Sequence, residues 1–425
     1  MEERRRLVVL GGGVAGLELA THLGRRLGRQ GRADILLIDR SFFHVWKPML
    51  HEFAAGTIPD DRNRVSFVAH ASRNHFHFWP GTLDAVDRPA RTIALAPIIG
   101  DDGTPIVEER KIPYDALIVA IGSRANDFGL PGIAEHCRFI DNLTEAENFF
   151  GLFRMAVLRA IDHGTPLDIA IVGGGATGVE LAAELHRAID LAMGYKIGFS
   201  RAELRITLLE AGSRILPAFP ERVSQDAEQA LRRLGIQVMT GVDIVGADAR
   251  GLIRKSGQRV EAEIRVWAAG VKAPSATDAF TDLDKAKGGQ LLVRPTLQST
   301  KDDAIFALGD CSVIAEKPVP ATAQAARQQA RHLSRELVHW VEGRAIRPFR
   351  YRDHGAIVTL GDYDGWGTLG RYRFGGGPLH GLTARLGHDL LYRQHQMEIY
   401  GPVRGLVSWS ADLLDGFVRP RVRLG

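Results

Sequence analysis

The sequence predicts an α/β fold in which two parallel-sheet units share one local design. Three observations carry that prediction. The phrase VLGGGVAGLELA (residues 9–20) returns as IVGGGATGVELA (residues 171–182). Each copy follows an apolar, β-branched run and leads into a helical pattern, the strand–turn–helix order of a parallel unit. The chain, at 425 residues, is long enough for two or three domains, each burying its own core.

The first unit opens with a strand at 7–10, the glycine loop, and a helix to about residue 29. Gly11, Gly13 and Gly16 form a GxGxxG. The first permits a tight turn, the second lets backbone approach a pyrophosphate, and the third lets helix pack on strand. The helix N-terminus then faces the phosphates with its positive end. A second strand, Asp34–Ile38, ends at Asp39. That carboxylate lies 23 residues past Gly16, where a Rossmann-like unit meets a ribose hydroxyl. DALIVAIGS (115–123) reads as a buried strand closing in a turn at Gly122.

The second unit repeats this order with a strand at 168–172, then Gly173, Gly175 and Gly178, a helix, and a strand at 204–209 ending at Glu210. Its gap to the carboxylate is longer because 188–203 reads as an insertion. EIRVWAAGVKAP (263–274) matches the DALIVAIGS strand and places Gly270 at its turn. After about residue 290 the pattern changes. IFALGD (305–310) is a short strand closing on Gly309-Asp310, and a helix should run from Thr322 to about Val341. From about 348, a stretch rich in Gly, Tyr and Trp suggests a small sheet, and the tail from Arg385 is helical in pattern.

Two such loops imply two dinucleotides. Asp39 and Glu210 hold matched positions after them, and a carboxylate there accepts from a free 2′-hydroxyl and repels a 2′-phosphate. Glu210 therefore favours NAD(H) over NADP(H), although nearby Arg214 is a residue that could greet a 2′-phosphate. Alone, Gly309-Asp310 is a common turn. Paired with an upstream dinucleotide loop, its Asp can accept a hydroxyl from a flavin's ribityl chain, which makes the first nucleotide FAD. NADH reducing a flavin would explain both sites. The expected domains are FAD-binding at 1–125 and 290–347, NADH-binding at 126–289, and a C-terminal region at 348–425.

Composition narrows the class. A net charge of +4 is too diffuse to argue for nucleic acid. With only Cys137 and Cys311, a disulfide scaffold, a zinc ribbon and a CxxC relay are unavailable, and no metal is expected. No run of about 18 apolar residues suggests a spanning helix. Met1 to Arg6 is charged and reads as no leader, so a cytosol-facing protein is expected. In the tail, Leu406, Trp409, Leu413, Leu414 and Phe417 form one apolar stripe flanked by Arg404, Arg419, Arg421 and Arg423. Such a stripe commonly serves core packing or a dimer seam, but Trp with flanking arginines and no spanning segment favours an amphipathic helix lying on the anionic membrane surface.

With these residues in place, the chain resembles the glutathione-reductase-like flavoproteins with two dinucleotide-binding domains. Three segments narrow the resemblance to type II NADH dehydrogenases. DRSFFHVWKPMLHEFAAGTI (39–58) is similar to the segment after that family's first acidic strand. AQAARQQ (323–329) matches its AQxAxQ pattern at Ala323, Gln324, Ala326 and Gln328. LLYRQHQ (390–396) and FVRPRVRL (417–424) look like the bacterial members' C-terminus. The resemblance implies FAD-dependent, non-pumping NADH:quinone oxidoreduction on the cytoplasmic side of the inner membrane.

It also implies site residues. Gln324 and Gln328, spaced i, i+4 on one helix face, would border flavin and quinone, their amides bonding carbonyls without adding charge. Glu180 would stand near nicotinamide and flavin and deliver a proton to quinone, with Glu184 extending the path. As a plain structural feature Glu180 would complement the helix dipole, and Glu18 occupies the same place in the first copy. Lys47 would contact FAD, and His354 would lie on the flavin's quinone side or be a structural histidine. The cysteines argue against thiol relays, since neither sits where disulfide reductases or sulfide:quinone oxidoreductases need a pair. A ferredoxin- or rubredoxin-type reductase, with the tail in a homodimer seam, and a low-turnover FAD/NADH redox sensor remain the alternatives.

Overall fold

The structure, a computed structural model, describes residues 4–58, 64–194, 198, 203–369, 372–375, 378–415 and 422. The chain divides into two units: Met1–Trp46, Arg64–Arg124 and Lys272–Arg352 form one, and Lys47–Asn63, Ala125–Val271 and Asp353–Gly425 the other.

In the first unit, five parallel strands lie in the order Ile305–Ala307, Ala116–Val119, Arg5–Leu10, Ala33–Asp39, His77–Pro80. Leu7 to Leu10 and Ala116 to Val119 are buried throughout. This is why these strands read as continuous apolar runs rather than alternating ones, for a parallel sheet is covered on both faces. Strand order reverses beside Arg5–Leu10, so its carboxyl end is the switch point where such sheets bind ligands. The helix Val14–Leu23 leaves from that point and packs against the helix Ala323–Val341. Thr322 starts the latter helix, its hydroxyl accepting the Ala325 N–H at 3.2 Å. One π-helical turn, Gly24–Gly28, prolongs the first helix almost to the expected residue 29.

The second unit repeats the plan with four parallel strands, ordered Gln237–Met239, Leu204–Leu209, Leu167–Val172, Ile264–Trp267. The helix Ala176–Met193 extends into the segment that reads as an insertion, because Ala188, Ile189 and Ala192 continue its buried stripe. Asn142 caps the helix Leu143–His163, accepting the Glu145 N–H at 3.0 Å. The short helix Leu50–Ala55 packs on both.

The Gly- and aromatic-rich stretch forms an antiparallel sheet of Ile357–Leu360, Asp364–Leu369 and Tyr372–Gly375. The helix Pro378–Tyr400 packs against it, and Pro402–Asp415 follows. The first of these begins before Arg385, with a proline at its first position, where the missing N–H costs nothing. Of the predicted tail stripe, Leu406 and Leu414 are exposed and Trp409 is half-buried. Phe417, Arg419, Arg421 and Arg423 lie outside the described residues.

Candidate functional site

The two glycine loops are built alike. Gly11 (φ 96°) donates its N–H to the Ile38 carbonyl at 2.8 Å, and Gly173 (φ 115°) donates to Leu209 at 2.8 Å. Only glycine adopts that backbone without strain. A Cβ on Gly16 would stand 1.8 Å from the Gly11 carbonyl oxygen, and one on Gly178 would stand 2.0 Å from that of Gly173. Gly13 and Gly175 instead have nothing within 4 Å of a Cβ. That open side, at a helix N-terminus, is where a pyrophosphate would approach.

The strand-end carboxylates also match. Asp39 accepts the Gly12 N–H at 2.6 Å and the Ser41 N–H at 2.7 Å. Glu210 accepts those of Gly174 and Gly212, each at 2.6 Å. Each braces its loop with one oxygen and the following turn with the other. A carboxylate offers about four acceptor positions, so both retain capacity for ribose hydroxyls. Burial pushes the Asp39 carboxyl up, with the Gly12 and Ser41 bonds opposing. Arg214 points its guanidinium at the carbonyls of Leu216, Pro217 and Phe219 and at the Ser224 hydroxyl. It clamps its own loop, leaving Glu210 beside the glycine turn.

The rest of the first unit's site follows the sheet's carboxyl edge. Gly122 and Gly309 both turn with positive φ, and Ser123 donates its hydroxyl to Asp310 at 2.8 Å. The Gly309 N–H is taken by the side-chain oxygen of Gln329 at 2.7 Å. Gln329 was not among the expected residues, although it falls with Ala325, Ala326 and Ala330 on the helix's buried stripe. A polar residue on that stripe was the signal. Gln324 accepts the Tyr351 hydroxyl at 3.0 Å. Gln328 donates to the Arg352 carbonyl at 2.7 Å and accepts the Arg352 N–H at 3.0 Å. Both glutamines thus share a face, as expected, and Gln328 pins the segment beyond the helix.

Open backbone at Gly13, the spare capacity of Asp39 and the Ser123–Asp310 pair form a cradle that fits FAD. Cys311 is sealed away, its thiol pushed up to about 12 chiefly by burial, and Cys137 likewise to about 11. Neither offers a thiolate at neutral pH.

In the second unit, Glu180 is 9 % exposed and accepts the Thr359 N–H at 3.3 Å. Burial pushes its carboxyl up to about 8, Thr359 opposing and the charge of Glu184 adding to the rise. The Nδ1 of His51 stands 3.8 Å from it. Glu184 faces Arg187, which reaches both its oxygens at 3.2 Å. Glu18, the counterpart of Glu180 in the first copy, is 1 % exposed and held by Arg327 at 2.7 Å. Lys47 lies 3.6 Å from Asp141, Gly270 turns with φ 68° beside Phe128, and His354 is exposed.

Comparison with known proteins places the chain. The model of the pyridine nucleotide-disulphide oxidoreductase family matches residues 5–330. A type II NADH:quinone oxidoreductase of Haemophilus influenzae is 38 % identical, covering 99 % of this chain and 100 % of its own. One from Staphylococcus saprophyticus is 29 % identical over 87 % of this chain and 90 % of its own. Among solved structures, NDH2 from Plasmodium falciparum in complex with NADH superposes with a TM-score of 0.84 at 18 % identity, covering 99 % of this chain and 100 % of that one. The sulfide:quinone oxidoreductase of Aquifex aeolicus gives 0.73 at 18 % identity, covering 99 % and 96 %. At those identities the structures speak for the fold alone. The near full-length match to the curated relative speaks for more: this chain belongs to the type II NADH:quinone oxidoreductases, within the pyridine nucleotide-disulphide oxidoreductase family.

Proposed function

We propose that the chain divides NADH:quinone oxidoreduction between its two glycine loops. FAD is the cofactor and NADH the electron donor. When bound, FAD supplies the hydride-accepting chemistry that links a two-electron donor to a quinone, without proton pumping. The residues bind, orient and move protons. The first loop, with Asp39, Gly122, Gly309 and Asp310, holds FAD in a domain of residues 1–125 and 290–347. The second loop and Glu210 hold NADH in residues 126–289, with Gly270 at the neighbouring turn. Gln324, fixed by Tyr351, presents an uncharged amide toward flavin or quinone, and Gln328 anchors that helix face. Lys47 and His354 are secondary contacts. Glu180, protonated near neutral pH, gives a proton to the quinone.

One observation carries this reading: two loops in one chain are braced by carboxylates in the same geometry, while both thiols are sealed. The chemistry assigned to the two loops needs no sulfur relay. The direct test is to mix the purified protein with NADH and a short-chain quinone. A yellow protein oxidising NADH in a quinone-dependent manner supports it. A colourless, inert one overturns it.

The quinone is met at a membrane. No helix among the described residues is long and apolar enough to cross one. On the last two helices Leu386, Leu390, Val403, Leu406, Val407 and Leu414 are all exposed. Water-facing apolar residues on neighbouring helices support a face that lies in the lipid interface, on the cytoplasmic side of the inner membrane. Leu406→Asp with Val407→Asp should abolish sedimentation with anionic vesicles. Unchanged sedimentation would remove this face as the anchor, and a change in oligomeric state instead would assign it to a homodimer seam.

A further inference from the structure

Reduction of quinone by NADH consumes one proton from the medium each turnover, so a carboxyl that donates to quinone must be reloaded. The residues around Glu180 suggest how. The helix Ala176–Met193 carries Glu180, Glu184, His186, Arg187 and Asp190. The short helix Leu50–Ala55 brings His51 and Glu52 against it, and the strand Ile357–Leu360 brings the Thr359 N–H. From the turn after that strand, Asp362 pairs with Arg187 at 2.8 Å, and the Tyr363 hydroxyl meets His186 and Asp190.

Within this cluster only the imidazole of His51 faces Glu180 among the described ion pairs. It is 5 % exposed, and its two ring nitrogens address two different carboxylates. Nδ1 lies 3.8 Å from Glu180 and Nε2 lies 3.9 Å from Glu52. Both spacings are a few tenths of an ångström past hydrogen-bond reach, a gap that one side-chain rotation or a bridging water closes. Imidazole is suited to the place because one nitrogen can take a proton while the other releases one.

We propose that His51 is the relay that reloads Glu180, an inference that rests on Glu180 being the quinone's proton donor. The Glu180 O–H breaks as a quinone O–H forms, with the electrons coming from NADH. The Nδ1–H of His51 then breaks as the Glu180 O–H re-forms, while Nε2 takes a proton from the side of Glu52, which is replenished by the medium. Water-mediated exchange, in which Nε2 releases its proton as Nδ1 gains one, restores the starting tautomer. His51 acts through Glu180 and is a positioning residue in this sense, not a catalytic one.

The test is anaerobic rapid mixing of the flavin-loaded enzyme, first with NADH and then with a short-chain quinone, using His51→Ala, His51→Gln and Glu180→Gln. Flavin content and thermal unfolding serve as the folding check, and the Gln variant keeps volume where Ala leaves a hole. Both His51 variants should retain wild-type reduction by NADH and slow quinone-dependent reoxidation by about 100-fold, the low end of what a positioned acid–base group supplies. Free imidazole should restore His51→Ala and do nothing for Glu180→Gln. Slow reoxidation in His51→Ala that imidazole cannot restore would reduce His51 to a packing residue and overturn the relay. Wild-type reoxidation in both His51 variants with a slow Glu180→Gln would overturn the relay alone. Wild-type reoxidation in Glu180→Gln would overturn the donor and the relay together.

Discussion

Glu18 and Glu180 occupy the same place in two copies of one phrase, yet their surroundings differ. Glu18 is sealed against the Arg327 guanidinium, so its buried charge has a fixed counter-charge. Glu180 has a backbone N–H, a titratable imidazole and a second carboxyl nearby. Burial raises the carboxyl in both, but only at Glu18 is a cation the main opposing influence. The loops that precede them keep the same positive-φ glycine turn, close helix approach and carboxylate brace. The two copies share what a dinucleotide requires and differ in the next helical turn: the Glu18 carboxylate is held by a guanidinium, whereas that of Glu180 is met by a backbone N–H.

The largest effects should come from breaking what the copies share. Gly16→Ala and Gly178→Ala each force a Cβ into a backbone carbonyl, and both should cost several kcal/mol, about the penalty of a severe packing clash. Gly16→Ala should yield protein without flavin. Gly13→Ala, with open space at its Cβ, should fold normally and bind flavin poorly. Normal flavin content in both would remove the loop from the cofactor site.

Next come the two carboxylates that differ. Glu18→Gln strands the Arg327 charge and should destabilise by about 3–5 kcal/mol, read by denaturant unfolding. Glu180→Gln should behave oppositely, and its pH dependence has a definite sign. The folded carboxyl titrates at about 8 against an ordinary 4.5. The native state therefore holds a proton that the unfolded chain has lost. Its contribution to stability is full below pH 4.5 and is lost as pH rises to 8. Glu180→Gln escapes that loss, so its unfolding free energy should gain on the wild type between pH 5 and 8, by on the order of 1 kcal/mol per unit. A constant difference across that range would contradict the raised carboxyl.

A smaller effect should separate the nucleotides. Glu210→Arg should weaken NADH use and improve NADPH use, by roughly tenfold in the ratio of kcat/KM values, about 1.4 kcal/mol. An unchanged ratio would show that Glu210 braces the loop without reading the ribose. Smallest of all, Cys137→Ala and Cys311→Ala should leave NADH:quinone turnover unaltered, since neither thiol ionises near neutral pH.

What could be read from sequence was local. A positive φ after a strand admits little but glycine, so Gly11 and Gly173 declare their turns, and Asp39 and Glu210 follow on the next strand of the same unit. Thr322 announces its helix because a cap must sit just before the first turn. The Glu180 surroundings were not legible in this way. His51, Thr359 and Glu180 are far apart in sequence and meet only through packing, and His51 sits in an apolar helical run where it reads as one more core residue. Gln329 was legible in principle: on the helix's buried stripe it must find a buried partner, and that partner is the Gly309 N–H. The helix ends were least legible, because apolar spacing continued through residue 192 into a segment that looked inserted.

In the proposed function the copies have separate duties, flavin retention by the first and proton-coupled delivery to quinone by the second. This division is tested most directly by anaerobic double mixing of Glu18→Gln and Glu180→Gln beside the wild type. In Glu180→Gln, flavin reduction by NADH should keep its rate while reoxidation by quinone slows by about 100-fold. Glu18→Gln, where folded, should reoxidise at the wild-type rate. Equal reoxidation rates in all three proteins would contradict the account.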